Sequence, residues 1–154
     1  MTDRELLTEA LALKELHRAG WKRVGIVEPE SVADHSFGVA LAALVLAPPE
    51  LDRGRLLAMA ILHDLAEVRI GDITPHDRVP RAEKKRREAE AAALLFADHA
   101  ELAAIWSEAE AGVTAEARFL KSMDVLDLHL QAEVYGGRGH DTSEFGLAES
   151  PAAR

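Results

Sequence analysis

The sequence contains no cysteine, and this absence excludes several kinds of chemistry at once. Without a thiol the chain can form neither disulfide bonds nor thiolate zinc sites, and it cannot use a cysteine nucleophile. Aromatic residues are also scarce, at 5% of the chain, whereas hydrophobic residues as a whole reach 48%. The core must therefore consist mainly of Ala, Leu, Val and Ile, and such small aliphatic side chains favour closely packed helices.

Long hydrophobic runs are missing as well. No apolar stretch approaches the ~20 residues that a membrane-spanning helix needs, so we expect no membrane partner. No signal peptide precedes the first predicted helix, and we therefore expect a cytoplasmic protein.

Positive charge is in the minority. The chain has 18 Lys and Arg residues against 27 Asp and Glu residues, which gives a formal net charge of -9. A general nucleic-acid binder would present a basic face, so a nucleic-acid polymer is not an expected partner. A small phosphate ester is still compatible with this charge, because a bound divalent cation and one or two arginines can reverse the local field.

Helical periodicity runs through most of the chain, and no segment shows convincing strand alternation. We predict one all-α domain over residues 1–154, a bundle of about six helices at about 3–20, 32–46, 53–68, 81–99, 101–111 and 115–135. Four residues are predicted to cap helix N-termini: Thr2, Ser31, Asp52 and Thr114. The sequence also allows a short extended piece over 24–27 and one more helical turn over 143–147.

The third predicted helix ends in ionisable residues. His63 and Asp64 follow an apolar run, and Glu67 comes about one turn later. At about 100° per residue these three side chains occupy one sector of the helix, next to its apolar face. Ionisable groups that face a core bind a metal, pair with one another or take part in chemistry. This segment therefore predicts a metal-centred hydrolytic site.

Two other predicted helices carry an ionisable residue on an inward stripe. His35 aligns with Val39, Ala42 and Leu46, and Asp124 aligns with Leu120, Asp127 and Gln131. With the His-Asp pair they form a set of nitrogen and oxygen donors that suits Mn, Fe, Co, Ni or Zn, with Mg less natural beside imidazoles. Helical bundles commonly build such sites from side chains on facing helices.

Each of these residues also has a simpler interpretation. A single buried histidine is more often a hydrogen-bonded core residue than a ligand, and Asp124 alone would more often be exposed or salt-bridged. The convergence of three inward positions favours a metal site. We expect Asp127 to pair with a base on a neighbouring helix rather than to act as a fifth ligand. The remaining histidines are interpreted as surface or loop residues: His17, His76, His99, His129 and His140.

Short motifs around these residues carry a specific resemblance. In chain order they are Arg18-x-Gly20-Trp21, PESVADHS at 29–36, HDLAE at 63–67, GDITP at 71–75 and Lys121-x-x-Asp124. Together they resemble the HD-domain metal-dependent phosphohydrolases, and in particular their 5′-deoxynucleotidase branch. The resemblance covers about residues 5–135. It implies a helical HD-domain fold and a homodimer.

The resemblance also implies roles for matched positions. His35, His63, Asp64 and Asp124 would bind one divalent metal ion. The carboxylates of Glu67 and Asp72 would orient or deprotonate the attacking water and assist the departing 5′ oxygen.

On the substrate side, the resemblance implies that Arg18 would hold the phosphate and that Trp21 would lie against the sugar and exclude a 2′-hydroxyl. Glu110 falls near another acidic site position, and Lys84 and Lys121 would be neighbours of the phosphate. From the residues alone, Trp21 could equally be a hydrophobic plug, and Arg18 could equally be a cation at the C-terminal end of the first helix.

We therefore predict a metal-dependent phosphohydrolase that releases phosphate from deoxyribonucleoside 5′-monophosphates. The nearest alternative is an HD phosphohydrolase acting on another nucleotide, such as a triphosphate, a cyclic nucleotide or an alarmone. A different class is a non-catalytic helical module that binds a nucleotide or a partner around a structural metal. Glu67 and Asp72 argue against that class, because a structural site needs no spare carboxylates beside its ligands.

Overall fold

A computed structural model describes residues 1–146, and helices dominate that part of the chain. The α-helices are α1 (Asp3–Ala10), α2 (Ala19–Arg23), α3 (Val32–Leu46), α4 (Arg53–Leu62), α5 (Glu67–Ile70), α6 (Arg81–Leu95), α7 (Ala100–Ala111) and α8 (Ala115–Gly137). Short 3₁₀ turns lie at Leu11–Lys14, Pro75–Asp77 and Ser143–Phe145. β pairing within the described residues is limited to one isolated bridge between His17 and Ser31. The predicted all-α, single-domain fold is confirmed.

The helix α3 has the bounds that the sequence predicts, and its N-terminus explains why. Ser31 Oγ accepts a hydrogen bond from the Asp34 backbone N–H at 3.1 Å, and Asp34 Oδ2 accepts one from the Ser31 N–H at 2.8 Å. This reciprocal capping box satisfies two N–H groups that a helix leaves free. It also fixes the start of α3 less than two turns before His35.

The buried face of α3 follows a row of residues four apart: His35, Val39, Ala43 and Ala47. Rows of this spacing run obliquely along a helix, and they form the ridge that packs when helices cross at an angle. Leu46, which the sequence places on the inward stripe, is therefore 51% exposed. The prediction for Leu46 was wrong, because the crossing angle selects a tilted row instead of a straight one.

The predicted first helix is in fact interrupted. It ends at Ala10, continues as a 3₁₀ turn, and gives way to the extended residue His17 before α2 begins. Gly20 therefore lies inside α2 and does not end a helix. Arg18 is the N-cap residue of α2, so its interpretation as a cation at the C-terminal end of the first helix was wrong. The extended piece expected at 24–27 is absent from the described residues, where turns follow α2.

The predicted third helix is also interrupted, at residues 63–66. The N–H groups of Leu65, Glu67 and Val68 each bond the carbonyl three residues back, at 3.0–3.2 Å, so the chain tightens there before α5 begins. The helix α6 stops at Leu95, earlier than predicted.

The remaining boundaries agree with the predictions to within two residues. The helix α7 ends at Gly112, whose φ of 64° favours glycine, and Thr114 caps α8. The final turn covers 143–145 in the structure, and the predicted extension to Leu147 lies outside the described residues.

The main core is aliphatic, as the composition predicts, and lies where α3 packs against α4 and α8. A second, smaller cluster consists of Trp21, Ile26, Ala132 and Tyr135. Among the described residues, no helix combines the length and apolar character needed to cross a membrane.

We predict that Ser31→Ala lowers the free energy of unfolding by about 1 kcal/mol, because it removes the oxygen that caps α3. Denaturant unfolding followed by circular dichroism would measure the change. Ser122→Ala is the matched control, since Ser122 is exposed within α8 and alanine is a good helix former there. Equal stabilities of Ser31→Ala and the control would contradict the prediction.

Candidate metal centre

The four residues predicted as metal ligands lie close together in the bundle. His35 comes from α3, Asp124 from α8, and His63 with Asp64 from the interruption between α4 and α5. His35 Nε2 lies 3.1 Å from Asp124 Oδ1 and 3.7 Å from Asp64 Oδ2, and His63 Nε2 lies 3.2 Å from the same Asp64 oxygen. The centroids of the two imidazole rings are 5.7 Å apart. We call these four residues the donor cluster.

The end of α4 fixes the orientation of His63. Its Nδ1 lies 2.8 Å from the Ala60 carbonyl oxygen, one of the carbonyls left free in the last turn of a helix. A carbonyl only accepts hydrogen bonds, so Nδ1 carries the hydrogen and the lone pair of Nε2 faces the donor cluster. This buried Nε2 has no hydrogen-bond partner of suitable geometry. A nitrogen held in this way is a ready ligand for a cation.

The electrostatics of the donor cluster favour positive charge among the carboxylates. Burial would raise the pKa of Asp64, but the neighbouring imidazoles outweigh burial and hold it well below its ordinary range. Burial opposes the ionisation of Asp124 in the same way, and the hydrogen bond from His35 again brings the pKa below normal. Burial would lower the pKa of His35, yet its bonds to Asp124 and Asp127 raise it to about 9.

A divalent ion fits this donor set. Two imidazoles and two carboxylates supply the nitrogen and oxygen atoms that such ions bind. Three of these donors, His35, His63 and Asp64, lie close enough together to hold one ion. His35 is fully buried, whereas the side chains of Asp64 and Asp124 are 20% and 22% exposed. The cluster is therefore closed on the α3 side and open on the side of its carboxylates.

A second group of donors, Glu30, His35 and Asp127, is also compact. Its atoms are already committed to hydrogen bonds: Asp127 Oδ2 lies 2.7 Å from His35 Nδ1, and Glu30 Oε1 accepts from Trp21 Nε1 at 2.8 Å. This group is a hydrogen-bonding network and not a second metal site. The pairing of Asp127 with a base on a neighbouring helix agrees with the expectation from the sequence.

A further buried carboxylate, that of Glu67, lies near the donor cluster. Its side chain is 4% exposed, and its buried Oε2 has no hydrogen-bond partner. Burial, followed by the charges of Asp64 and Asp72, raises the pKa of Glu67 to about 10. A cation bound beside Glu67 would oppose this shift and favour the ionised form.

Asp72 and Arg18 form one unit on the open side of the site. Asp72 Oδ2 accepts a hydrogen bond from the Ala19 N–H at 2.7 Å, and its Oδ1 lies 3.7 Å from Arg18 Nη1. The same guanidinium nitrogen is 4.0 Å from Asp64 Oδ2. Burial would lower the pKa of Arg18, but these carboxylates raise it, so the guanidinium is firmly charged beside the donor cluster.

Trp21 lies in the core and has no open face in this structure. It is 1% exposed, and its ring centroid is 5.1 Å from that of Tyr135 and 4.4 Å from that of Phe145. This geometry is that of a hydrophobic plug, which anchors α2 behind Arg18. The contact of Trp21 with a sugar stays a prediction.

Three further predicted residues lie around the open side. Lys121 Nζ donates to Asp124 Oδ2 at 2.9 Å, and Lys84 Nζ donates to the Ile73 carbonyl at 3.0 Å, which ties the loop after Asp72 to α6. Glu110 in α7 is half-buried; burial, opposed by Lys85 and supported by Asp64, raises its pKa. Its role in binding a substrate stays a prediction.

Sequence reasoning missed Gly38. A Cβ atom built at this position would lie 1.9 Å from Asp127 Oδ1 and 2.7 Å from Asp127 Cγ, so only glycine leaves room for the Asp127 carboxylate where it lies. The available signal was a glycine in the interior of the helix predicted over 32–46, three residues after a candidate ligand.

Comparison with known proteins defines the class. The family model described as "HD domain" matches residues 10–152, and this chain belongs to that family. Among curated proteins, it is 43% identical over 128 residues to 5′-deoxynucleotidase HDDC2 of Bos taurus; the match covers 80% of this chain and 62% of the bovine protein. The chain thus spans less than two thirds of that relative.

Solved structures with 32–34% sequence identity share this fold. A conserved hypothetical protein from Pyrococcus furiosus superposes with a TM-score of 0.84 at 34% identity, covering 95% of this chain and 90% of the other. A structure described as a predicted metal-dependent phosphohydrolase from Magnetospirillum magnetotacticum has a TM-score of 0.70 at 32% identity, with coverages of 84% and 69%.

We predict that Mn²⁺ or Co²⁺, added after treatment with a chelator, stabilises the protein against unfolding. At an ion concentration 100 times the Kd the gain is about 2.7 kcal/mol, and thermal melting would detect it. His63→Gln should lose most of this gain because it removes the nitrogen aimed at the site. His76→Gln, which alters an exposed histidine, is the control. An equal gain in both variants would place the ion elsewhere.

Proposed function

We propose that this chain is a metal-dependent phosphohydrolase that releases phosphate from deoxyribonucleoside 5′-monophosphates. The observation that carries the proposal is a buried carboxylate with a free oxygen, Glu67, close to Asp64 of the donor cluster and to the half-buried guanidinium of Arg18. The choice of substrate is supported by the name of the curated relatives, which are described as 5′-deoxynucleotidases.

His35, His63, Asp64 and Asp124 would hold one divalent ion. When bound, such an ion lowers the pKa of coordinated water and neutralises charge on a phosphoryl group. We propose Mn, Fe, Co, Ni or Zn in preference to Mg, because half of the donors are imidazoles.

Arg18 supplies the positive charge that a phosphate needs in an acidic protein. Its guanidinium presents several N–H donors in one plane, which match two phosphate oxygens. Asp72 accepts from Ala19 and faces Arg18, so we propose that it holds this guanidinium in place. Because both of its oxygens are engaged in this way, Asp72 is a weaker candidate for proton transfer than Glu67.

Glu67 is the proposed base. It takes a proton from the attacking water as the water oxygen bonds to phosphorus and the bond between phosphorus and the 5′ oxygen breaks. The proton can then pass from Glu67 to the departing oxygen, so that a deoxynucleoside and inorganic phosphate leave. Positioned proton transfer of this kind typically contributes 10²–10⁴-fold to a rate.

We also propose that a second copy of the chain covers the outer face of α3. Four residues there are exposed at helical spacing although they are large and apolar: Phe37, Leu41, Leu44 and Val45. A contiguous apolar surface of this kind is typical of a protein interface.

For the dimer, we expect light scattering after gel filtration to give twice the chain mass. Leu41→Glu should shift the protein toward the monomer, because it places a charge in the apolar face. Leu94→Glu, on the exposed side of α6, is the matched control and should leave the mass unchanged. A monomeric wild-type protein would refute the dimer and leave the proposed chemistry intact.

For the activity, we expect phosphate release from deoxyribonucleoside 5′-monophosphates in the presence of Mn²⁺ or Co²⁺, and less from the ribonucleotides. Glu67→Gln should lower kcat by about 10²-fold or more with little change in metal affinity, because it removes the base and keeps the four ligands. Glu133→Gln, an exposed change on α8, is the control. Metal binding without release of phosphate from any nucleotide in the panel would instead favour a binding module.

A further inference from the structure

One helix contacts both ring nitrogens of His35. Asp124 and Asp127 lie on the same side of α8, three residues apart, and bracket the imidazole: Asp124 Oδ1 is 3.1 Å from Nε2, and Asp127 Oδ2 is 2.7 Å from Nδ1. The ring is fully buried, so neither nitrogen can exchange its partner for bulk water. The two carboxylates therefore determine the tautomer and the orientation of the His35 ring.

The bond to Asp127 determines which nitrogen of His35 can bind a cation. An ionised carboxylate only accepts hydrogen bonds, so Nδ1 must carry a hydrogen. In the neutral ring this leaves the lone pair on Nε2, the nitrogen that faces Asp64 and Asp124. His63 has the same tautomer for a different reason, since its Nδ1 donates to a backbone carbonyl.

Gly38 makes the contact between Asp127 and His35 possible. The carboxylate of Asp127 occupies the space where a Cβ atom at position 38 would lie, at 1.9 Å from Oδ1. Alanine is otherwise the better residue inside a helix. Gly38 therefore has a lower helix propensity than alanine would have, but it leaves space for the Asp127 carboxylate that contacts the proposed ligand His35.

We propose that Asp127 is a positioning residue for His35, seated over Gly38, and that it fixes the tautomer and direction of the imidazole so that Nε2 can bind a divalent ion. This inference rests on the proposed metal centre. It adds to that centre Asp127, which is not a ligand, and Gly38, which leaves space for Asp127. Hydrogen-bond partners of metal ligands commonly act in this way.

The test measures divalent-ion affinity directly, by titration calorimetry with Mn²⁺ and Zn²⁺. Asp127→Ala should weaken binding by about 10–100-fold. Asp127→Asn should lose less, because its amide oxygen can still accept from Nδ1. Gly38→Ala should weaken binding in the same direction with Asp127 intact, since the methyl group displaces the carboxylate. The double variant should lose less than the sum of its parts, because both changes break one contact.

Two controls separate positioning from simple loss of structure. Gly137→Ala introduces the same methyl group into α8 at a position with no atom within 4 Å, and it should not alter affinity. In the zinc-loaded protein, ¹⁵N shifts should report hydrogen on Nδ1 of both His35 and His63. Asp127→Ala should disturb this signature for His35 alone, which a general destabilisation would not do.

The possible outcomes are distinct. A wild-type chain that binds neither ion overturns the proposed function, and this inference falls with it. A wild-type chain that binds, together with Asp127→Ala and Gly38→Ala variants of unchanged affinity, overturns only the role of Asp127. An unchanged His35 tautomer in Asp127→Ala has the same consequence.

Discussion

The contact of His35 in α3 with two carboxylates of α8 is the constraint on which the rest of the candidate site depends. His35 is fully buried, and it is tolerated there because α8 supplies a carboxylate to each of its nitrogens. Gly38 leaves the space that one of those carboxylates fills. Removing one member of a buried ionic group exposes the others to an uncompensated desolvation cost, so the packing of these helices and the arrangement of the donors are energetically linked.

The interruption between α4 and α5 plays the complementary part. A helix leaves its last carbonyls without partners, and here one of them fixes the imidazole of His63. The tight turns that follow bring Asp64 and Glu67 close together, one as a member of the donor cluster and the other as a buried carboxylate with a free oxygen. In an acidic chain such a concentration of carboxylates needs local positive charge, which Arg18 and Lys121 provide at the open side.

Much of this arrangement could be predicted from local patterns. The bounds of α3 follow from a capping box and from the proline pair after it, and the end of α7 follows from a glycine with positive φ. Inward positions of His35 and Asp124 follow from helical spacing. The interruptions at residues 11–18 and 63–66 were missed because an apolar run has the same periodicity whether a helix is continuous or tightens into 3₁₀ turns. The exposure of Leu46 was missed because the crossing angle depends on both packed helices and cannot be predicted from the sequence of one of them.

By itself, therefore, the sequence determined the helical class, most helix ends, the chemistry of the donors and the family motifs, since each of these depends on residue type and short-range spacing. Only the tertiary structure decided that Arg18 is the N-cap residue of α2 beside Asp72, that Trp21 is a core residue and that Asp127 occupies the space over Gly38. Those facts depend on contacts between residues far apart in the chain, and the distance of closest approach between two helices is set by the side chains of both.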